Sequence, residues 1–131
     1  MLSPVTLKQF DRFKQRFPDA VLLPLPSGAA LVTVPSVPLV TGWSKPATSV
    51  RFVVPAGYPG PALDCFWADE DLRLANGTPP QSSQIQGIPE VGQQGWWFSW
   101  HVVDAQNNWN PNHHDLITFM EIIKHRLRQP Q

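Results

Sequence analysis

The sequence predicts an α+β domain in which one helix precedes a meander of about four antiparallel strands and a second helix follows them. Three observations predict this class: an amphipathic helical period near each end, short β-branched segments between, and 15 prolines scattered through 131 residues. Scattered proline favours short strands joined by rigid turns, because proline is excluded from helix interiors and central sheet ladders. The length fits one domain, so we expect residues 1–131 to form a single unit.

The first helix is predicted from Ser3 and Pro4, which read as an N-cap followed by proline at the first helical position. Apolar residues then recur every three or four positions, at Leu7, Phe10, Phe13 and Phe17. Charged and amide side chains lie between them, so the pattern predicts an amphipathic helix of about four turns that ends before Pro18.

Short apolar segments predict the strands. They cover residues 20–24, 30–34, 48–54, 62–67 and 96–103. Residues 69–95 show no sustained period and read as a long irregular loop. Consecutive strands joined by short turns favour an antiparallel sheet with helices on one face.

The final helix is predicted after Asn112 or Asp115, either of which can cap it. Leu116, Met120, Ile123 and Leu127 repeat on one face there. Lys124, Arg126 and Arg128 form the one basic cluster, and we interpret it as a complement to the helix dipole.

Composition excludes several classes of function. The formal net charge is zero and basic residues are dispersed, which argues against nucleic acid as the main partner. No apolar run approaches the roughly 18 residues of a membrane span, and the start of the chain does not read as a signal peptide. The single cysteine, Cys65, excludes an internal disulfide and fits a reducing compartment. We therefore expect a cytoplasmic protein.

Three sequence segments carry a resemblance to a known family. Residues 52–67, which read FVVPAGYPGPALDCFW, contain a strand, Tyr58-Pro59, a proline-rich turn and a further strand. Residues 95–101 form an aromatic block, and Trp109-Asn110-Pro111 precede the final helix. Together these segments resemble the ubiquitin-conjugating-enzyme (UBC) superfamily, and more closely its prokaryotic family E. The resemblance implies the UBC-like fold, no cofactor, and two partners: a ubiquitin-like protein and a ubiquitin-activating-enzyme-like protein of a bacterial pathway.

The chain departs from that family where the chemistry takes place. The family's nucleophilic cysteine lies roughly eight residues before the tryptophan that Trp109 resembles, and this position falls at His101, beside Trp100. No cysteine lies near it, and no His-Pro-Asn precedes it. By resemblance, Trp100, His101, Trp109, Asn110 and Pro111 mark a degenerate active-site region. The resemblance therefore implies a non-catalytic or degenerate member that binds partners without carrying a thioester.

Cys65 is the one alternative nucleophile. Strand alternation places it with Leu63 and Trp67 on one face, where we expect a core residue whose burial raises the thiol pKa. An active conjugating enzyme that uses Cys65 as a displaced nucleophile remains the rival hypothesis. A structural subunit of a larger assembly is the third.

Partner-binding candidates come from two segments. In a strand, Trp97 lies on the opposite face from Trp96 and Trp100, so at least one of these side chains is expected at the surface, where tryptophan favours protein interfaces. The first helix is the other candidate, because the family resemblance implies that it docks on the activating enzyme. Lys8, Lys14 and Arg16 would supply its polar rim.

Two polar clusters are given structural interpretations. His113, His114 and Asp115 suggest metal ligands, but adjacent residues at a helix start point about 100° apart, so we expect cap and surface roles and no metal site. Residues 69–71, Asp-Glu-Asp, follow a predicted strand and read as a solvated turn.

Overall fold

The computed structural model describes residues 2–101 and 114–131, in which two helices and six strands are found. In chain order these are α1 (Pro4–Arg16), β1 (Val21–Pro24), β2 (Ala30–Pro38), β3 (Ala47–Val54), β4 (Asp64–Ala68), β5 (Ser83–Ile88), β6 (Gln93–His101) and α2 (Leu116–Leu127). The α+β class, with one helix before the strands and one after them in chain order, is confirmed.

Helix α1 begins as predicted. The Ser3 hydroxyl accepts a hydrogen bond from the Thr6 N–H at 3.2 Å, and Pro4 occupies the first helical position. The helix ends at Arg16, and the Phe17 N–H still donates to the Phe13 carbonyl at 2.8 Å.

The buried face of α1 differs from the predicted one. Leu7 was expected on it, but its side chain is 47% exposed, whereas Thr6, Phe10 and Phe13 are buried. The helix is rotated so that Thr6 faces the core, and its hydroxyl shares a hydrogen bond of 3.0 Å with Ser3. This contact satisfies the buried hydroxyl, and it leaves Leu7 about 100° away from the core face.

The six strands form one antiparallel sheet in the order β1-β2-β3-β4-β6-β5. The predicted antiparallel meander of about four strands is found in β1 to β4, but the sheet has six strands. Residues 69–95, expected to be an irregular loop, contain β5 and the start of β6. In addition, β6 lies between β4 and β5. After β4 the chain therefore forms the edge strand β5 first and then returns as β6 to pair with both. Strand β5 escaped the sequence pattern because it is a polar edge strand, held by its ladder to β6 rather than by apolar alternation.

Both helices pack on the inner face of the sheet. Phe52 of β3 meets Phe119 of α2 edge to face, with ring centroids 5.2 Å apart, and Phe66 of β4 stacks on Phe98 of β6 at 4.7 Å. Phe13 of α1 joins the same cluster. These five side chains are each no more than 1% exposed, so α1, α2 and three strands share one core.

A second, smaller apolar cluster lies on the outer face of the sheet. Its buried members are Leu25, Ala29, Leu31, Trp67 and Ile88. The hairpin tips of the two sheet edges meet over this end: Glu90 accepts hydrogen bonds from the Ser27 N–H at 2.9 Å and the Ser27 hydroxyl at 2.7 Å. Because β1 and β5 are the two edges, this contact shows that the sheet is strongly curled around the second cluster.

Helix α2 begins with a capping box. The Asp115 carboxylate accepts from the Thr118 N–H at 2.9 Å, and the Thr118 hydroxyl accepts from the Asp115 N–H at 3.2 Å. Of the two predicted caps, Asp115 is therefore confirmed, whereas Asn112 lies outside the described residues. The other end of α2 is fixed by Trp43, whose indole N–H donates to the Leu127 carbonyl at 2.7 Å.

Candidate functional site

The only thiol of the chain lies opposite a β-bulge. Asp64 of β4 pairs with His101 of β6 and Phe66 pairs with Phe98, so Cys65 alone faces two residues of β6, Ser99 and Trp100, and the extra residue belongs to β6. The φ of Cys65, 62°, lies in the left-handed region, which costs a non-glycine residue free energy. This conformation breaks the strand alternation that the sequence predicts for β4.

This break corrects the predicted faces of β4. Leu63, Cys65 and Trp67 were expected to share one face, with Phe66 on the other. Instead Leu63 and Phe66 both belong to the main cluster, and Trp67 belongs to the second cluster on the outer face. Cys65 is nevertheless buried, with 9% of its surface exposed.

The surroundings of Cys65 disfavour the thiolate. Burial raises the pKa of the Cys65 thiol above its ordinary value, and the neighbouring Asp64 carboxylate adds to this through its charge and a hydrogen bond. Hydrogen bonds from the Trp100 backbone and the Trp97 side chain lower the pKa of Cys65, but the net shift is upward. A thiol must ionise to act as a nucleophile, so this site is poorly suited to thioester formation.

The end of β6 lies at this bulge. The family resemblance places the degenerate active-site region there. Trp100 is half-buried and packs against the main cluster, and the backbone of His101 pairs with Asp64. Three further members of the predicted region, Trp109, Asn110 and Pro111, lie outside the described residues. The structure therefore brings Cys65 and the end of β6 together.

The tryptophans of β6 lie on opposite faces, as the alternation predicts. Trp96 and Trp100 pack with the main cluster, whereas Trp97 packs half-buried against the second cluster. Trp96 is only 7% exposed, and the Arg73 guanidinium covers its ring at 3.7 Å from the centroid. Of the two predicted partner-binding tryptophans, Trp97 is therefore the accessible one.

Helix α1 presents a mixed apolar and basic outer surface. Lys8 and Lys14 are exposed, as are Val5 and Leu7, with 40% and 47% of their surfaces accessible. Arg16, the third predicted member of the rim, instead forms an ion pair of 2.8 Å with Glu121 of α2. We call Val5, Leu7, Lys8 and Lys14 the α1 surface.

Sequence reasoning missed the role of Arg126. Its residue surface is 2% exposed, and its guanidinium donates to the carbonyls of Gln129 at 2.8 Å, Gln131 at 2.8 Å and Gln81 at 3.1 Å. The guanidinium also lies 5.6 Å from the ring centroid of Trp100. A basic residue at a helix end carries no sequence signal for burial, so only the packing reveals this contact.

The acidic residues after β4 are more organised than a solvated turn. Asp69 binds the Lys45 ammonium at 2.6 Å and also accepts from the backbone and the hydroxyl of Ser49. Asp71 contacts the same ammonium at 2.9 Å but is 77% exposed. Within residues 2–101 and 114–131, no group of three or more His, Cys, Asp or Glu side chains could hold a metal ion. His113 lies outside the described residues.

A helix-flanked antiparallel sheet with Tyr58-Pro59 between β3 and β4 is consistent with an E2-like, or ubiquitin-conjugating-enzyme-like, protein. The family model described as Prokaryotic E2 family E matches residues 24–130, and the chain therefore belongs to this family. Comparison with curated proteins and with solved structures gave no match. Family membership assigns the chain to ubiquitin-like conjugation in general. None of the helices in the described residues is long and apolar enough to cross a membrane.

Proposed function

We propose that this chain is a non-catalytic, conjugating-enzyme-like protein that binds a ubiquitin-like protein, its activating-enzyme-like partner, or both, in the bacterial cytoplasm. The single observation that carries the proposal is the placement of the only thiol. Cys65 is buried opposite the bulge of β6 and next to Asp64, and its pKa is raised. A carrier needs an accessible thiolate, because the thiolate attacks the incoming thioester and later leaves when an amine takes the acyl group.

The α1 surface supports the binding half of the proposal. Burial of exposed apolar residues supplies affinity at an interface, and positive charges beside them select a partner of opposite charge. Val5 and Leu7 face solvent although the same helix buries Phe10 and Phe13. The family resemblance assigns this helix to docking on the activating enzyme, and we propose that Lys8 and Lys14 contact acidic side chains of that enzyme.

Trp97 supports a second contact on the sheet. It is half-buried on the outer face and packs against the second cluster. A partly exposed tryptophan that is fixed by packing loses little side-chain entropy on binding and is a common interface anchor. We propose that it takes part in binding the ubiquitin-like protein.

The experiment that tests the proposal is a charging assay with the cognate activating enzyme, the ubiquitin-like protein and ATP under non-reducing conditions. We expect no thiol-sensitive adduct on this chain, and we expect the same result for Cys65→Ser. An adduct that reducing agent removes and that Cys65→Ser abolishes would establish Cys65 as the nucleophile and contradict the proposal.

Binding is measured in parallel with the activating enzyme. Reversing both charges, in Lys8→Glu with Lys14→Glu, is expected to weaken binding by about tenfold, because it places carboxylates against an acidic partner surface. Arg128→Glu is the matched control, since Arg128 is exposed at the far end of α2. Equal weakening by the control, or none by the α1 variant, would contradict α1 as the docking element.

A further inference from the structure

Strand β5 (Ser83–Ile88) is an edge of the sheet that lacks the usual protection against further pairing. In the part of the chain that the structure describes, β5 pairs with β6 on one side and with no strand on the other. Its six residues include no proline and no charged side chain. Protein sheets normally guard such edges with charges, prolines or short strands, because unpaired backbone groups template pairing with another chain.

The opposite edge of the same sheet, β1, is protected against pairing with a further strand. Strand β1 has four residues and ends in Pro24. The Leu25 N–H bonds to the Ala29 carbonyl at 2.9 Å, so alternation along this hairpin turns the backbone groups of Leu22 and Pro24 outward. Proline has no N–H, and Leu22 is left as the only outward donor of β1.

Strand β5 has more outward backbone donors and acceptors than β1. The Ser99 N–H donates to the Ser82 carbonyl at 2.8 Å, in register with the β5–β6 ladder. By the same alternation, Ser83, Ile85 and Gly87 point both their N–H and C=O groups away from β6. Gly87 and Ile85 are exposed, and a Cβ added at Gly87 would meet nothing closer than the Gln93 carbonyl oxygen at 4.0 Å.

We propose that β5 is a self-association edge, which pairs antiparallel with β5 of a second copy of this chain about a two-fold axis at Ile85. In that register Ile85 faces its own counterpart, and Ser83 faces Gly87 of the second copy. All the outward N–H and C=O groups of β5 then exchange hydrogen bonds. This self-complementary arrangement is what a two-fold interface requires.

The side chains of β5 favour a second copy over a charged foreign segment. Ile85 is 45% exposed, and pairing at the axis covers it with an identical side chain. On the other face Gln84 lies opposite Gln86 of the second copy, and each amide can donate to and accept from the other. No charge on β5 repels its copy or selects a charged partner, and the formal net charge of the chain is zero.

The expected association is weak. A strand pair by itself buries less than the roughly 1,000 Å² of a specific stable interface. The dimer therefore dissociates on dilution and forms at high protein concentration. This inference goes beyond the proposed function, and its test uses the purified chain without any conjugation partner.

Sedimentation equilibrium up to millimolar protein tests the proposal. The weight-average mass is expected to rise from one chain toward two with concentration. Ile85→Pro removes one outward N–H without touching the ladder to β6, and Ile85→Lys brings two ammonium groups together at the axis; both are expected to remain monomeric. Leu23→Lys is the matched control, since Leu23 lies on the β1 edge with 46% exposure against 45% for Ile85, and it is expected to associate like the wild type.

Oxidative cross-linking reports the register and does not depend on the folding of the proline variant. In a Cys65→Ser background, Ile85→Cys is expected to form an intermolecular disulfide, and Leu23→Cys is not. A wild-type chain that stays monomeric at millimolar concentration, association lost in Leu23→Lys but kept in Ile85→Lys, or equal cross-linking at both positions would overturn the proposal. A monomer whose binding to a ubiquitin-like protein is lost in Ile85→Pro would also overturn it and assign the edge to that partner.

Discussion

At the scale of single residues, Asp69 shows how local contacts set an ionisation state. Burial by itself would raise the pKa of Asp69, but hydrogen bonds from Lys45 and Ser49 and the Lys45 charge hold the pKa of this carboxyl below its ordinary value. The same contact raises the pKa of Lys45. Asp69 thereby ties the turn after β4 to Lys45, two residues before β3, and to Ser49 of β3 itself.

Because the folded pKa of Asp69 is lowered, its contribution to stability is present above the unfolded value of about 3.9 and is lost as pH falls through the folded value. Asp69→Asn is therefore expected to lower the free energy of unfolding by about 1–2 kcal/mol at neutral pH. The difference from the wild type should shrink as pH drops below about 4. Urea unfolding of the variant and the wild type at a series of pH values measures this difference in the free energy of unfolding.

Asp71→Asn is the control for this prediction, since Asp71 touches the same ammonium but is 77% exposed. It should change the free energy of unfolding by less than about 0.5 kcal/mol. A pH-independent loss in Asp69→Asn would show that packing, and not ionisation, is responsible.

At the scale of elements, the irregular pairing of β4 with β6 sets the surroundings of Cys65. Two residues of β6 lie opposite Cys65, both Leu63 and Phe66 belong to the main cluster, and Cys65 has a φ of 62°. Glycine adopts this conformation without steric cost, whereas a β-branched residue is strained there.

The left-handed conformation of Cys65 predicts an unusual order of variant stabilities. Cys65→Gly is expected to change the free energy of unfolding by less than about 1 kcal/mol, because relief of the left-handed strain offsets the lost side-chain contacts. Cys65→Val is expected to lower the free energy of unfolding by about 2 kcal/mol or more, although valine is apolar and close in size. Thermal and urea unfolding of the two variants check the order; a valine variant more stable than the glycine variant would contradict the left-handed strain at this position.

At the scale of the whole molecule, Arg126 connects distant parts of the chain. It extends from α2 to the carbonyl of Gln81, ahead of β5, and to the carbonyls of Gln129 and Gln131. Its guanidinium also lies 5.1 Å from the ring centroid of Phe98 in β6. Burial lowers the pKa of Arg126 from its ordinary value, and the carbonyl contacts supply the hydrogen bonds that a buried guanidinium needs.

Arg126→Lys is expected to lower the free energy of unfolding by about 1–3 kcal/mol, since one ammonium cannot reach all three carbonyls and buried acceptors lose their donors. Arg128→Lys, an exposed position two residues later, should be neutral within about 0.5 kcal/mol. Chemical denaturation measures both. Equal stability of the two variants would show that the Arg126 contacts contribute nothing specific.

Features that local chemistry sets were predictable from the sequence. The caps at Ser3 and Asp115 were predictable, because capping chemistry is local and involves residues three positions apart. The apolar strands β2, β3 and β6 were predictable from their composition. Strand β5 was not, since four of its six residues are polar or glycine. Trp109, Asn110 and Pro111, on which part of the family resemblance rests, lie outside the described residues.

The sequence by itself determined the α+β class, the two helix starts, the family, and the lack of a cysteine among the residues that neighbour His101 in the chain, because these depend on residue type and local spacing. Only the tertiary structure decided which face of α1 is buried, that Arg126 is a core residue, and that Cys65 lies beside Asp64 and opposite a bulge at the end of β6. These properties depend on pairing register and on contacts between residues far apart in the chain. Neither register nor long-range contact leaves a periodic trace in one sequence.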